Sequence, residues 1–387
     1  MSITYLDHAA TTPMSPVAVA AWQRAAGVVG NPSAVHAAGR AARGVVEDAR
    51  EQVADGLGVR PSQVVFTGGG TEADNLAVLG IARARRRAQP RRVRVLVSAL
   101  EHAAVNEAAA SLARERFCVE TLPVRRDGRL DADAAEAAID TDSSSIALVS
   151  CLWVSNEVGT IEPVGELAAL AVAHGIPLHS DAVQAVTYCP VRLDGLAALS
   201  VCAHKLGGPM GVGALVLADD VPIEAVGFGG GQERELRSGT VPVPLVAGFG
   251  AALAEAVAVR EVEAVRLRGL SGRLIAGLEA GGLAQVVGPS DPALRSPHVV
   301  TVVVPGCQAA DLLVLLDQAG VACSAGSACH AGVVRPNPAL LAMGYDEVAA
   351  AASLRFSLGR TSAASDVDAL LRVWPGVVAR ARIAGGV

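Results

Sequence analysis

Lys205 is the one lysine among 387 residues, set in Ala203-His204-Lys205-Leu206-Gly207-Gly208-Pro209; every other member of the 32 Lys+Arg is arginine. Arginine carries charge but stays protonated and does not attack a carbonyl. A lysine amine can lose its proton and condense with an aldehyde to a Schiff base. A chain that uses arginine elsewhere keeps a lysine where chemistry needs an amine. An arginine-favouring composition could also leave one lysine by chance, so the neighbouring residues decide.

Two other turns carry polar groups of the right kind. Thr67-Gly68-Gly69-Gly70-Thr71-Glu72 follows an apolar run and opens an Ala-rich one. Glycines there let backbone N–H groups close on an oxyanion, a helix N-terminus adds its dipole, and Thr71 adds a hydroxyl. The same residues would serve a tight turn, and no Gly-Lys-Ser/Thr follows to make a P-loop. His179-Ser180-Asp181-Ala182-Val183-Gln184 ends another apolar run. An aspartate in that place can keep a pyridine nitrogen protonated, making the ring an electron sink, or can simply cap a helix. Lys205 lies one predicted strand later, the order in which pyridoxal phosphate (PLP) enzymes of this architecture place the pair, and that favours the cofactor.

The elements that must hold these residues follow from periodicity. Val/Ile/Leu-rich runs predict strands over 63–66, 94–98, 146–152, 176–179, 198–202 and 212–217. Ala-rich stretches between them predict helices over 71–88, 103–114 and 163–173. Alternation of that kind implies a mostly parallel sheet covered on both faces, with ligands at the carboxyl ends of the strands. Thr71, Glu101-His102, Asn156, Asp181 and Lys205 all follow predicted strand ends. Beyond Gly229-Gly230-Gly231 the pattern changes to a long helix over 242–277. A smaller α+β unit then uses 299–304, 309–316, 321–323 and 354–358.

Composition narrows the function. Aromatics are 3%, which argues against stacking platforms for single-stranded nucleic acid. Net charge is −6, so the run Arg83, Arg85, Arg86, Arg87, Arg91, Arg92 and Arg94 reads as a solvated helix end, and no direct nucleic-acid partner is expected. No unbroken apolar run of about 18 residues predicts a membrane span. The N-terminus lacks a basic start followed by an apolar run, so a cytoplasmic location is expected. The seven cysteines are scattered and contain no C-x-x-C pair, which suits reduced thiols. Cys323, Cys329 and His330 fit no common zinc spacing, and no metal is expected.

Further segments extend the pattern: Tyr5-Leu6-Asp7-His8-Ala9-Ala10-Thr11-Thr12-Pro13, Asn31-Pro32-Ser33-Ala34-Val35-His36 and Gly70-Thr71-Glu72-Ala73-Asp74-Asn75. Later come Asn156-Glu157-Val158-Gly159, Arg237-Ser238-Gly239-Thr240, Gly326-Ser327-Ala328-Cys329 and Leu354-Arg355-Phe356-Ser357-Leu358-Gly359. In this order, with Glu101-His102, Asp181 to Gln184 and His204-Lys205, the chain resembles cysteine desulfurases of the NifS/IscS group, PLP-dependent members of the class V aminotransferases. The match runs nearly end to end, and the ordered set is far more specific than any single segment.

The resemblance implies an α/β fold of type I (aspartate aminotransferase-like), with a mostly parallel central sheet and a smaller α+β domain. A large PLP-binding domain is expected over 13–250. A small domain would combine 1–12 with 251–387 and carry a mobile catalytic cysteine loop at about 324–338. Lys205 would hold the cofactor as a Schiff base and later shuttle protons. His102 would stack on the ring and assist proton transfer, Asp181 would pair with its nitrogen, and Gln184 would bond its phenolate oxygen. Gly70, Thr71 and His204 would bind the phosphate, joined by Thr240 from the second subunit of a homodimer. Asn156 and Arg355 would hold the substrate carboxylate, a task suited to arginine's planar fork.

Cys329 would be the nucleophile. L-Cysteine would condense with PLP, lose its Cα proton, and give its sulfur to the Cys329 thiolate. Alanine would leave, and the persulfide would pass to an acceptor protein, an iron–sulfur scaffold or a sulfur carrier. A free thiol titrates near ~8.5, so Cys329 needs an activating neighbour. Two departures stand out: Cys202 where many relatives have a phosphate-binding Ser, and Ser155 where many carry a second Asn. A thiol is a weak donor, so one phosphate contact is expected to be lost or replaced by backbone. Cys323 reads as a structural thiol, and His330 as facing solvent. His8, His36, His174, His179 and His298 receive no role. The rivals are another PLP enzyme on the same scaffold, such as an aminotransferase or selenocysteine lyase, and a non-catalytic sulfur-assembly protein.

Overall fold

Apolar runs with no polar face become strands buried on both sides. The computed structural model describes residues 3–325 and 335–384. The chain opens with β1 (Thr4–Tyr5), α1 (Pro16–Ala26) and α2 (Ala37–Leu57). Next come β2 (Val64–Thr67), α3 (Gly70–Ala88), β3 (Arg94–Ser98), α4 (Ala103–Leu112), β4 (Cys118–Leu122) and α5 (Ala132–Thr141). The series continues with β5 (Ile146–Ser150), α6 (Val164–Ala173), β6 (Leu178–Asp181), β7 (Ala198–Cys202) and β8 (Gly213–Leu217).

Strands β2 to β8 form one seven-stranded sheet in the order β2-β8-β7-β6-β5-β3-β4. Every pairing is parallel except the two made by β8. A parallel return needs a crossover of about a dozen residues or more, usually helical. The link between β7 and β8 is a short run of turns around Lys205, so β8 comes back antiparallel. The predicted strands of this sheet fall within two residues of those observed. Edge strand β4 was not anticipated; its Cys-Val-Glu-Thr-Leu is half-exposed and lacks an apolar run.

Helix α7 (Val243–Glu279) packs on α1 and α2 and extends to the second sheet. By length and composition alone it could cross a membrane, but 56% of its most apolar window is buried inside the fold. That is the signature of a core helix. It is followed by β9 (Gln285–Val287), β10 (Val299–Val303), α8 (Ala309–Gln318) and β11 (Val321–Ala322). The last elements are α9 (Pro338–Ala342), α10 (Glu347–Ala351), β12 (Ser353–Ser357) and α11 (Ala364–Ala384). The antiparallel sheet β12-β10-β9 carries the second core, where Phe356 meets Trp374 edge-on. β1 pairs with β11, which brings the N-terminal segment beside the C-terminal elements. The architecture is α/β, a mostly parallel central sheet with a smaller α+β assembly.

Candidate active site

The polar residues gather where β2, β3, β5, β6 and β7 end. The turn after β7 carries Lys205, whose Nζ donates to the carbonyls of Ala9 at 2.5 Å and Ala10 at 2.7 Å. Burial lowers its pKa and nearby Arg355 pushes the same way, while Cys202, Asp181 and Asp7 oppose them. A lowered pKa leaves more of the amine neutral and nucleophilic.

Asp181 closes β6, and its Oδ1 accepts from the Val183 N–H at 2.8 Å. It faces a second buried acid, Asp74 of α3. One side-chain atom each from Asp74, His102 and Asp181 lies within 4.8 Å of the others. Burial raises the pKa of both aspartates. His102 caps α4, its Nδ1 accepting from the Ala104 N–H at 3.1 Å. When neutral, its proton therefore sits on Nε2. A buried chain runs behind this cluster. Ser150 donates to Glu101 Oε1 at 2.7 Å and meets His179 Nδ1 at 3.0 Å. His179 Nε2 meets Ser200 at 2.9 Å, and Ser200 bonds Asp74. Burial pushes Glu101 up to about 8 and His179 down to about 3, so both are neutral in the interior at neutral pH.

The start of α3 has no side-chain cap. Gly69 has φ 147°, with open space where a Cβ would point, whereas a Cβ on Gly70 would meet Val183 at 3.0 Å. Thr71 is exposed at this opening. His204 lies half-buried with Nδ1 3.2 Å from the Thr11 hydroxyl. Cys202 is buried and its thiol pushed up to about 12, so it stays protonated. Gln184 donates to the Ala9 carbonyl at 2.9 Å and bonds His298 at 3.0 Å. Thr240 is exposed.

Arg355, on β12, reaches the site from the smaller sheet. Its Nη1 donates to the Asn156 carbonyl at 3.0 Å and lies 3.4 Å from Glu157 Oε1; Nη2 donates to Asp7 at 3.2 Å. The buried Nε has no hydrogen-bond partner among the described residues. The Asn156 amide donates to Glu157 at 2.7 Å. Ser155 is buried, and its hydroxyl accepts from the N–H groups of Glu157 and Val158, so it shapes this turn.

Sequence reasoning missed Asp74, Glu101, Glu157, Asp7 and His298 as partners of the site. Asp7, Asp74, Glu101 and Glu157 lie in recognised segments, and that signal could have found them. His36 caps α2 and His174 meets Asp140 at 3.3 Å. Cys323, just past β11, is pushed up to about 12 by burial. Cys329, His330 and the segment 326–334 lie outside the described residues.

The donor set fits PLP. An uncapped helix start with an open glycine cradle suits its phosphate, the Asp74–Asp181 pair suits a protonated ring nitrogen, and a single amine suits its aldehyde. On a mostly parallel seven-stranded sheet, these features define a fold-type I PLP enzyme. The chain belongs to the class-V aminotransferase family, whose model matches residues 4–370. It is 47% identical over 383 residues to an IscS-like cysteine desulfurase of Mycobacterium tuberculosis, spanning 98% of this chain and 97% of that one. A solved NifS-like protein superposes with TM-score 0.90 at 31% identity, covering 98% of this chain and all of its own. A solved SspA in complex with cysteine superposes with TM-score 0.77 at 29% identity, over 92% of this chain and 98% of that one.

Proposed function

We propose that this protein is an L-cysteine desulfurase that passes sulfur through Cys329 to an acceptor protein. The observation that carries the reading is the lone amine of Lys205 beside the Asp181 cluster, in a chain 47% identical to a named cysteine desulfurase.

Bound PLP supplies an aldehyde for the substrate amino group and a ring that withdraws electrons from Cα. Lys205 would hold the cofactor through its amine and would carry the Cα proton. Asp181 would keep the ring nitrogen protonated, and His102 would stack on the ring and assist proton transfer. Gly70, Thr71 and His204 hold the phosphate, with Thr240 of the partner subunit completing the cradle in a homodimer. Gln184 donates to the phenolate oxygen. Asn156 and Arg355 hold the substrate carboxylate. The Cys329 thiolate attacks the substrate sulfur, the C–S bond breaks, and its electron pair stays on carbon, where a proton completes alanine. The persulfide left on Cys329 goes to an iron–sulfur scaffold or a sulfur carrier for thio-cofactor or tRNA synthesis. We further read residues 13–250 as the large domain, 1–12 with 251–387 as the small one, and the cytoplasm as the compartment.

The test is incubation with L-cysteine and a thiol reductant. Alanine and sulfide should form in equal amounts. Cys329→Ala should stop sulfide release yet keep the colour of bound PLP, and Lys205→Ala should lose that absorption. Full sulfide release by Cys329→Ala would remove the nucleophile from the scheme, and an unchanged spectrum for Lys205→Ala would remove the amine.

A further inference from the structure

We propose that His298, itself fixed by Ser296, is a positioning residue that sets which end of the Gln184 amide faces the cofactor. This rests on the reading of Gln184 as the ligand of the phenolate oxygen.

The argument needs only donors and acceptors. A carbonyl oxygen can only accept, so the Gln184 atom 2.9 Å from the Ala9 carbonyl is the amide nitrogen. The amide oxygen then faces His298 Nε2 at 3.0 Å, and that nitrogen must carry the ring proton. A neutral ring has one proton, so Nδ1 accepts, and it takes the Ser296 hydroxyl at 2.6 Å. Donation thus runs one way, from Ser296 through His298 and Gln184 to Ala9. All three side chains are buried, and Tyr188 stacks on the ring at 4.1 Å. Burial, with Arg355, His8 and Lys205 adding to it, holds His298 at about 3, so the ring stays neutral. The second N–H of Gln184 has no protein acceptor among the described residues and is left for the cofactor.

The bond also joins the two sheets. Gln184 follows β6, whereas His298 precedes β10 and accepts at its carbonyl from the Leu358 N–H, just past the strand that bears Arg355. Without His298, the Ala9 carbonyl is what remains among the described residues to oppose a half-turn of the amide, which would aim its oxygen at the phenolate.

Holoenzyme is titrated with pH while the absorption of bound PLP is followed. A donor to the phenolate favours its ionised form, so losing it moves the midpoint upward. Gln184→Ala sets the size of the effect, about one pH unit, or about tenfold. His298→Ala should shift the same way by part of that amount, since the Ala9 carbonyl still holds the amide. The double variant should add nothing to Gln184→Ala, and His298→Gln, which still offers an N–H, should recover some of the loss. Ser296→Ala keeps the ring in place and should shift the same way, which serves if His298→Ala folds poorly. A shift in Gln184→Ala with none in His298→Ala or Ser296→Ala overturns the role of His298 and leaves the reading of Gln184 intact. No shift in Gln184→Ala overturns both. Independently, imidazole nitrogen shifts in the cofactor-free protein at neutral pH should place the His298 proton on Nε2; a proton on Nδ1 defeats the proposal.

Discussion

Arg355 shows how much one side chain can be preset. Asp7 and Glu157 hold its guanidinium from two sides while a buried Nε lacks a partner among the described residues. In the proposed reaction a substrate carboxylate would meet there a fork already oriented, and orientation is what a planar bidentate donor supplies beyond charge. Arg355→Lys keeps the charge near Asp7 and Glu157, so it avoids stranding two half-buried acids. It should raise KM for L-cysteine by roughly ten- to a hundredfold, the range of a lost charge-assisted hydrogen bond. Steady-state kinetics with an unchanged KM would take Arg355 away from the substrate. At this scale the sequence singled out Lys205, Asp181 and Arg355, which the structure brings together, by the chemistry their types allow. It was silent where type is common and the partner remote: Gln184 and His298 are 114 positions apart, and Arg355 and Asp7 348 apart.

Among the elements, the turns at the strand ends matter most, and they depend on close backbone approach. The glycine that starts β8 lies against the turn that starts α3. A Cβ on Gly213 would sit 2.6 Å from the Val201 carbonyl oxygen and 2.9 Å from the Gly69 carbonyl carbon. These are backbone atoms, so the strain cannot be relieved by turning a side chain. Gly213→Ala should cost about 1–3 kcal/mol of stability and displace the Gly69–Thr71 turn. PLP retention on dialysis should fall more in this variant than in Gly44→Ala, where a Cβ meets nothing within 4 Å. Equal retention would separate that turn from phosphate binding. The central strands were readable as apolar runs, since burial on both faces leaves no polar alternation to confuse them. The direction of β8 was not, because it depends on the length of a link, and β4 was not, because an edge needs no apolar run.

Across the whole molecule, the buried ionisable groups set how stability follows pH. Burial raises Glu101 and Glu162 to about 8 and lifts Asp74, Asp181 and Glu157 as well. It lowers His179 and His298 to about 3 and His8 and His204 to about 4. In Glu101 and Glu162 the folded state keeps a proton that the unfolded chain has released. The contribution of these two is complete below about 4.5 and is lost as pH rises toward 8. For the histidines the unfolded chain binds a proton first, so stability is lost as pH falls from about 6.5 toward 3. Between about 4.5 and 6.5 the two sets oppose each other, which places a broad stability maximum on the acid side of neutrality. Thermal melts of the cofactor-free protein should show that maximum and a decline from pH 6.5 to 8.5. Glu101→Gln keeps the shape and removes one ionisation. Its melting temperature should gain on the wild type steadily from about pH 5 to 8, with a limit of roughly 5 kcal/mol set by the shift from 4.5 to about 8. A gap that stays constant with pH would mean that Glu101 is ionised in the folded protein and that the buried chain behind Asp181 holds a charge, not a proton.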